Sequence, residues 1–430
     1  MVVTSVTGGA GQSVLEWRGY GERFTFSGDG RYFALVMAAY PPESGRGSEG
    51  FEYLLASTDG SRAWHLSAGP TMLAFSPDST RVSYVTVPEA SDNEMGIMDI
   101  STGEQKVLAG GGVLVNPTWV NDRTIVYTRL HNPVFSPRQE GGVVFRVDTD
   151  SGEALALTGP GRSFSIYSAP VSFSRSKIAL TEKEPLYNLW SLDVGSGELR
   201  QVTNNNLFHF RAGYLPQGNL ILFETQKNPD DMMSSEIAVM ADDGSYFRML
   251  TSNFSFDGVH SFSPDSGRIA FQRLTEKGEA SIWTLEGEEA EAVLIAADGG
   301  GWLGDPNFAP VPDWQAANPL EMAVEEGILG KALAVSIKNP SSAPVKTVLR
   351  AFPGSSLELA AEGGPAVSQT GPGPAAPKLE WSLNLDPGET VEIRVTATPS
   401  ASVAAAGKTS LLLTLAVPGT PPRMNWQYLE

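Results

Sequence analysis

The sequence predicts an all-β chain in which a ring of small antiparallel sheets is followed by a β-sandwich. One observation is a segment that occurs twice, at residues 75–84 and 262–271. Each copy reads as a strand ending on an aromatic residue, a Pro-Asp turn and a departing strand with alternating apolar residues. A second observation is the composition, because 45 glycines and 30 prolines supply turns between many short strands.

Degenerate copies of the segment recur along the first part of the chain. An aromatic residue precedes each turn at intervals of 41 to 54 residues, at Phe26, Phe75, Trp119, Phe173, Tyr214, Phe262 and Phe308. Repeats of about 40–50 residues with four strand-like runs each are typical of β-propeller blades. The intervals predict a six-bladed propeller, with a seven-bladed ring as the alternative. We expect residues 301–314 and 13–17 to complete a shared blade, which would close the ring and remove exposed edges.

Polar hairpins with a glycine mark the turn between the third and fourth strands of each repeat. Residues 99–104 form one such hairpin, and residues 148–153 and 193–198 repeat it. Glycine tolerates the positive φ that these turns need. The segment at residues 148–152 resembles part of a calcium loop, but Gly159 stands where an EF-hand needs a carboxylate. A turn is therefore favoured, and no metal site is predicted.

After Trp314 the repeat ends, so the predicted domains are a propeller at 1–314, a linker at 315–319 and a sandwich at 320–430. About seven strands with alternating apolar residues in roughly 110 residues suggest an immunoglobulin-like sandwich. The predicted strands are 332–338, 345–351, 357–361, 379–385, 390–397, 410–417 and 425–429.

Charge and composition exclude several classes of function. The net charge is −19, and residues 1–317 carry −17 of it, which disfavours nucleic acid and anionic lipid as partners. The acidity is explained by solubility or by a cationic partner. Because the chain has no cysteine, disulfides, thiol catalysis and iron–sulfur clusters are excluded. No apolar run approaches the ~18 residues of a membrane span. Residues 1–6 lack the features of a signal peptide, so the chain is either cytoplasmic or a mature or trimmed form.

The repeated segments resemble the repeats of TolB-type propellers. The two Phe-Ser-Pro-Asp copies carry the resemblance, with weaker copies at residues 26–31 and 173–176, and it covers about residues 20–314. It implies the fold; propellers of this type serve as periplasmic scaffolds, peptidase gating domains and some lyases. TolB carries an α/β domain ahead of its propeller, so its own role is not transferred. Residues 381–390 resemble accessory domains of bacterial secreted and surface proteins, and together these resemblances imply an extracytoplasmic setting.

The chain contains few sequence motifs that indicate a catalytic or metal-binding site. No Gly-x-Ser-x-Gly elbow occurs, which argues against an α/β-hydrolase domain. Four histidines lack metal-ligand spacing in sequence, but a propeller can bring His209 and His260 together from neighbouring blades. Framework roles are the alternative for both. The candidate binding residues are His131, His209, His260 and Trp302, and the loops at residues 41–50 and 131–142 are the candidate recognition surface.

These observations favour a non-enzymatic, extracytoplasmic binding or scaffold protein that uses loops and the axial funnel to recognise a protein or a glycan. It would need no cofactor, no catalytic residue is assigned, and a signal segment would be absent from this sequence. One alternative is a lyase or hydrolase acting on polysaccharide, with His209, His260 and nearby carboxylates at the axis. Another is a cell-surface assembly module in which the sandwich pairs with a neighbour through an exposed edge.

Overall fold

A computed structural model describes most of the chain. The described residues are 2–3, 12–13, 15–17, 20–38, 51–66, 73–86, 92–131, 141–166, 176–182, 187–216, 219–228, 231–253, 255–263, 267–286, 291–298, 317–325, 328–354, 357–363, 365–369, 373, 375–399 and 409–429. Within them the regular elements are strands, apart from a single 3₁₀ turn at Met232–Ser234. The prediction of an all-β chain is therefore confirmed.

Short strands β1 (Val2–Val3), β2 (Gln12–Ser13) and β3 (Leu15–Trp17) precede a series of repeated sheets. Among the described residues, six consecutive groups of four strands follow, which we call units 1 to 6. Unit 1 contains β4 (Tyr20–Phe26), β5 (Tyr32–Ala38), β6 (Phe51–Ser57) and β7 (Ala63–Leu66). Unit 2 contains β8 (Ala74–Phe75), β9 (Arg81–Val85), β10 (Met95–Asp99) and β11 (Gln105–Ala109). Unit 3 contains β12 (Leu114–Asn121), β13 (Thr124–Leu130), β14 (Gly142–Asp148) and β15 (Ala154–Ala156).

The remaining units repeat this order. Unit 4 contains β16 (Phe164–Ile166), β17 (Lys177–Glu182), β18 (Asn188–Asp193) and β19 (Leu199–Gln201). Unit 5 contains β20 (Phe208–Tyr214), β21 (Leu220–Gln226), β22 (Glu236–Ala241) and β23 (Phe247–Met249). Unit 6 contains β24 (Phe256–Phe262), β25 (Arg268–Leu274), β26 (Ala280–Glu286) and β27 (Val293–Asp298). Each unit is an antiparallel meander, the blade of a β-propeller.

The turns of these units are those that the sequence predicts. In the hairpins between third and fourth strands, Gly103 and Gly152 have φ values of 74° and 75°. In the Phe-Ser-Pro-Asp turn, the buried Ser76 hydroxyl accepts a hydrogen bond from the Arg81 N–H at 3.0 Å and donates to the Asp78 carboxylate at 2.5 Å. The motif thus satisfies backbone groups at the turn, which explains why it recurs.

The predicted closing blade is wrong in its N-terminal part. Leu15–Trp17 pairs in parallel with the strand Arg423–Leu429 of the C-terminal region, and Gln12–Ser13 pairs with Val2–Val3. The reason is that Arg423–Leu429 would otherwise leave the unpaired backbone groups of a sheet edge, which a short strand can satisfy. The other part of that prediction, residues 301–314, lies outside the described residues, and the blade count of six or seven stays a prediction.

The C-terminal region forms two sheets. Its strands are β28 (Glu321–Val324), β29 (Ala332–Lys338), β30 (Val345–Pro353), β31 (Leu357–Glu362), β32 (Ser368–Gln369), β33 (Leu379–Leu385), β34 (Thr390–Pro399), β35 (Thr409–Ala416) and β36 (Arg423–Leu429). One sheet has the order β28-β29-β34-β31 and the other β3-β36-β35-β30-β33-β32. Alternate residues of both sheets, such as Val335 and Leu413, share one buried core. This is the two-layered arrangement of a β-sandwich, and its immunoglobulin-like character stays a prediction.

The second of these sheets, which we call the docking sheet, packs against unit 1. Side chains alternate between the two faces of a strand, so Leu411 and Leu413 point into the sandwich core while Leu412 points away from it. Leu412 belongs to a buried cluster that joins unit 1 to the docking sheet. Its members are Phe33, Leu35, Leu54, Ala56 and Ala63 from unit 1 and Phe352, Leu412, Met424 and Trp426 from the docking sheet. The other face of unit 1 packs against unit 2. The docking sheet therefore covers the face of unit 1 opposite to its neighbouring blade.

Polar contacts strengthen this interface. The Thr414 hydroxyl donates to the Gly60 carbonyl at 2.7 Å. The His65 ring lies between the Phe352 carbonyl, 3.0 Å from Nε2, and the Ser410 hydroxyl, 3.0 Å from Nδ1. Burial lowers the pKa of His65 to about 4, so the ring is neutral at pH 7 and can donate through Nε2–H while Nδ1 accepts from Ser410.

Basic side chains connect successive units in one direction. In each case a cation of one unit donates to the polar hairpin of the next, as Arg62 Nη2 to Ser101 O (2.8 Å), Lys106 Nζ to Thr149 O (2.8 Å) and Arg146 Nη1 to Val194 O (2.7 Å). The hairpin of unit 1 instead accepts from Thr414 of the docking sheet. The docking sheet thus donates to the hairpin of unit 1, as the preceding unit does to the hairpins of units 2, 3 and 4.

Candidate functional site

Each unit has two different ends. The hairpin end carries the tight turns between strands one and two and between strands three and four. The loop end carries the connections between strands two and three and the passage to the next unit. The first strands, such as β24, are largely buried, whereas fourth strands such as β15 are exposed, so the first strand is the inner one. The polar residues described below lie toward the loop end of units 3 to 6.

An arc of polar residues occupies one repeated position of the second strands. In unit 6, the aromatic Phe262 of the first strand pairs with Ile269 of the second strand. The repeated position lies three residues after this apolar residue and is Gln272 in unit 6. It is valine in units 1 and 2, at Val36 and Val85. In units 3 to 6 it is polar and buried, and these residues, which we call the polar arc, are Thr128, Thr181, Glu224 and Gln272. Burying a polar side chain at this position costs free energy unless the side chain is hydrogen-bonded.

The inner strands are bulged beside this arc. In β12, β20 and β24 one extra residue interrupts the register, directly after the residues that pair with Thr128, Glu224 and Gln272. In unit 1, β4 is also irregular, directly before the residue that pairs with Val36. At the bulge Arg211 has a φ of 47°, a left-handed conformation that few non-glycine residues adopt. Bulges of this kind redirect side chains and are enriched next to functional sites.

The Arg211 side chain at this bulge forms an ion pair with a buried carboxylate. Arg211 Nη1 lies 3.0 Å from Glu224 Oε1 and 2.8 Å from Oε2, and the Glu224 side chain is only 2% exposed. His260 approaches from the inner strand of unit 6, with Nδ1 3.6 Å from Glu224 Oε1. A Cβ atom at Gly258 would lie 2.5 Å from Phe256 Cζ and 3.0 Å from the Glu224 carboxylate, so glycine avoids a clash with both side chains. The structure therefore brings His260 to an arginine–carboxylate pair between units 5 and 6.

A second buried carboxylate lies next along β24. Asp257 is fully buried and receives two hydrogen bonds of 2.7 Å from Arg273 and one of 2.6 Å from the Asn253 amide. Glu236 accepts from the Thr251 hydroxyl at 2.6 Å, and its pKa is raised above the usual range, first by burial and further by the charge of Asp257. Units 5 and 6 thus hold two arginine–carboxylate groups, Arg211 with Glu224 and Arg273 with Asp257.

Unit 4 contributes a third arginine–carboxylate pair. Arg162 binds Glu182 through two hydrogen bonds of 2.8 and 2.9 Å, and its guanidinium lies 3.9 Å from the ring centroid of Trp190. His131, at the end of β13, is exposed, and its Nε2 lies 2.9 Å from the Arg162 carbonyl oxygen. His131 therefore lies at the loop end between units 3 and 4, away from His260.

His209 is buried between units 4 and 5. Its ring contacts Phe223 edge-on with centroids 5.2 Å apart, and its Nε2 lies 3.1 Å from Asn205 Oδ1. Its Nδ1 has no hydrogen-bond partner among the described residues, and neither has the hydroxyl of Thr225, which pairs directly with His209 across β20 and β21. Each unsatisfied buried polar group costs about 1–3 kcal/mol. Burial also lowers the pKa of His209 to about 4.

Acidification from pH 6.5 to pH 4 is expected to destabilise the fold. The pKa of His65 and of His209 is lowered to about 4 in the folded chain, while an unfolded histidine titrates near ~6.5. The unfolded chain therefore binds more protons in this window. Each histidine contributes up to ~3 kcal/mol that is fully present above pH 6.5 and lost as the pH falls to 4.

Urea unfolding at a series of pH values measures how the free energy of unfolding changes with pH. The slope of this free energy against pH should be smaller in the variants His65→Gln and His209→Gln. The matched control is His131→Asn, at an exposed position, which should keep the wild-type slope. A slope that neither buried variant reduces would contradict the assignment. The turn aspartates, such as Asp99 and Asp148, have lowered pKa values and act in a separate window, because their stabilisation is lost only below about pH 4.

The sequence-based candidates have different outcomes. His260 belongs to the charged cluster, His209 lies in a neighbouring interface, and His131 lies further round the loop end, so the structure does not bring the three together. Trp302 and most of both candidate loops lie outside the described residues. Sequence reasoning missed Arg211, Glu224 and Asp257, although aligning the second strands would have revealed a polar residue at a position that is valine in units 1 and 2.

Two features are absent from the described part of the chain. It holds no group of three or more histidine, aspartate or glutamate side chains arranged to bind a metal ion. It also holds no helix with the length and hydropathy to cross a membrane.

Comparison with known proteins identifies similar folds. No protein-family model matches the chain, and no curated protein sequence matches it significantly. Among solved structures, TolB from Acinetobacter baumannii is similar over 65% of this chain and 67% of its own, with 16% identity and a TM-score of 0.44. The propeller domain of the Trilobed protease from Pyrococcus furiosus, described as having an open velcro topology, is similar over 73% of this chain and 92% of its own, with 14% identity and a TM-score of 0.44.

A third similar structure is prolyl oligopeptidase B from Galerina marginata, bound to a 35-residue substrate. It covers 75% of this chain and 46% of its own length, with 11% identity and a TM-score of 0.49. The chain therefore spans about half of that enzyme. All three likenesses are at sequence identities of 16% or less.

Proposed function

We propose that this chain is a non-enzymatic binding or scaffold protein that recognises a protein or glycan partner with the loop end of units 3 to 6. The observation that carries the proposal is the buried cluster of Arg211, Glu224 and His260 on a bulged inner strand. Buried ion pairs stabilise a fold less than well-packed apolar residues of similar size. Retaining one beside a strained backbone conformation therefore favours recognition as its role.

An extracytoplasmic setting is part of the same proposal and rests on the resemblance of the repeats to TolB-type propellers. The acidity of residues 1–317 supports a partner with a cationic surface. Association with such a partner would be accelerated by the long-range field and would weaken with salt. Measuring binding at low and high ionic strength separates this kind of partner from a neutral one.

Binding to immobilised glycan and peptide arrays tests the proposal. The wild-type protein is expected to bind members of one array, and His260→Ala is expected to weaken that binding about tenfold or more, which corresponds to about 1.4 kcal/mol. The matched control is Arg62→Ala at the hairpin end, which should bind as the wild type does. Equal loss in both variants, or no binding to either array, would contradict the proposal.

A second candidate function is an enzyme acting on polysaccharide. It is favoured by the contact of His260 with Glu224, since an imidazole beside a carboxylate is a common arrangement for proton transfer. Incubation with xylan, pectin and alginate, followed by detection of new reducing ends, tests it. Turnover that His260→Ala abolishes would establish the enzyme, whereas binding without turnover supports the leading proposal.

A further inference from the structure

The fourth strands of the units carry exposed apolar side chains. Among the described residues, eight large hydrophobic side chains are exposed, and six of them lie on fourth strands: Val107, Leu155, Phe247, Met249, Val293 and Leu294. Two of these belong to β27 of unit 6, and no strand of the described residues lies on its outer side. Such an edge presents unpaired backbone N–H and C=O groups to which another extended chain can bind.

The other fourth strands are shorter, charged or covered. β15, β19 and β23 have three residues each, β11 contains Lys106, and β7 contacts the docking sheet. Short strands and lysine side chains are common means by which proteins prevent pairing at a sheet edge. β27 has six residues, and those from Val293 to Ala297 are all apolar. It is therefore the fourth strand best suited to accept another strand.

The geometry of β27 favours a short apolar partner segment. Val293 pairs with Thr284 and Leu294 with Trp283 in β26, so the two exposed side chains lie on opposite faces of the sheet. A strand added to this edge would therefore meet apolar side chains on both faces. The register with β26 shifts after Leu294, and such a bulge increases the local twist. The twist limits the pairing to a short segment and disfavours the edge of a wide sheet.

The charge of this region selects the partner. Residues 286–298 contain five acidic residues and no lysine or arginine, and Glu286 and Glu291 are exposed. The same strand of a second copy would bring further acidic residues to this edge, and like charges repel. A segment that carries lysine or arginine beside its apolar residues would instead be attracted. The charge thus favours a cationic peptide segment over a second copy of this chain.

We propose that the outer edge of unit 6 binds an extended segment of a partner protein, in which a short run of β-branched apolar residues is flanked by lysine or arginine. The segment pairs with β27 through backbone hydrogen bonds, the mode of recognition called β-augmentation. Its apolar side chains lie beside Val293 and Leu294, and its cations lie near Glu286 and Glu291. The inference goes beyond the proposed function, because it assigns a second surface, on the outermost strand, that the loop end does not include.

Fluorescence anisotropy of a labelled peptide with the full chain tests the proposal. The probe has five valines between two pairs of lysines, and it is expected to bind about tenfold more tightly than the same peptide with glutamates in place of the lysines. Leu294→Lys places a cation on the edge and is expected to weaken binding about tenfold or more. The matched control is Leu155→Lys on β15, since Leu155 is 50% exposed and Leu294 47%, and it should bind as the wild type does.

Backbone methylation of the peptide separates strand pairing from charge attraction. Alternate residues of a strand direct their N–H groups toward the same neighbour. Methylation of one alternate set of peptide amides should therefore abolish binding, while methylation of the other set should preserve it. Both variants should unfold at the urea concentration of the wild type, because exposed substitutions alter stability little. A loss of binding in Leu294→Lys is then a property of the edge and not of the fold.

Several results would overturn the proposal. Absence of peptide binding, equal binding of the two methylated peptides, or binding that Leu294→Lys leaves unchanged would each show that β27 does not accept a strand. Equal binding of the lysine and glutamate peptides would contradict the role of charge. Light scattering of the protein alone should give a monomer, and a dimer that Leu294→Lys dissociates would show that a second copy occupies the edge instead.

Discussion

Replacing Trp426 with alanine is expected to lower the free energy of unfolding by about 3–5 kcal/mol, the range for removing a large aromatic side chain from a core. Trp426 is fully buried in the cluster that joins the docking sheet to unit 1. The cavity would remove packing from the docking sheet and from unit 1 at once. Urea denaturation measures the loss, and Trp426→Phe, which leaves a smaller cavity, should lose less.

The control for this substitution is Val107→Ala on the exposed fourth strand of unit 2, where Val107 is 53% exposed. Surface changes of this kind alter stability by no more than about 0.5 kcal/mol. A double-mutant cycle with Phe33→Ala, from the unit 1 side of the cluster, should give a coupling of about 0.5–3 kcal/mol if the two faces share one core. Additive effects, or a loss in Trp426→Ala as small as in the control, would show that the docking sheet is not firmly packed.

The second large effect is expected in the charged cluster. Arg211→Met leaves the Glu224 carboxylate, 2% exposed, without its arginine, and breaking a buried pair in this way costs about 3–5 kcal/mol. The double variant Arg211→Met/Glu224→Leu should recover most of that loss, because no uncompensated charge remains. Urea denaturation of the two variants at pH 7 measures both values.

An exposed pair provides the comparison for this experiment. Arg394 and Glu392 are 59% and 54% exposed, so Arg394→Met should change the free energy of unfolding by less than about 1 kcal/mol. If Arg211→Met resembled Arg394→Met, Glu224 would have to be hydrated or protonated in the folded chain. A double variant no more stable than Arg211→Met would instead assign the loss to packing of the arginine side chain.

Local pattern was sufficient to predict individual strands. The alternating runs at 332–338 and 379–385 coincide with β29 and β33, and the predicted turn glycines have positive φ. In the C-terminal region two strands were missed, Glu321–Val324 and the two-residue Ser368–Gln369, because short strands leave too few residues for an alternation. Periodicity thus identifies elements whose side chains alternate between core and solvent over several residues.

Periodicity does not predict contacts between segments that are distant in sequence. In β35 the Leu412 side chain lies on the face of the sheet opposite to Leu411 and Leu413, which is the outer face of a sandwich. Only the fold shows that unit 1 covers this face. The approach of His260 to Glu224 likewise depends on a bulge in β24 and on the packing of one unit against the next. The histidine was a reasonable candidate from sequence, but its partners were set by tertiary geometry.

The buried polar residues are unevenly distributed along the series of units, which under the proposed function separates attachment from recognition. Val36 and Val85 give the first two repeats an ordinary interior, and the first of them holds the neighbouring domain. The later repeats hold the buried polar and charged groups to which we assign recognition in the proposed function. Since distant changes usually add independently, an engineer could exchange the attached domain without altering ligand preference, or retune that preference without loosening the attachment.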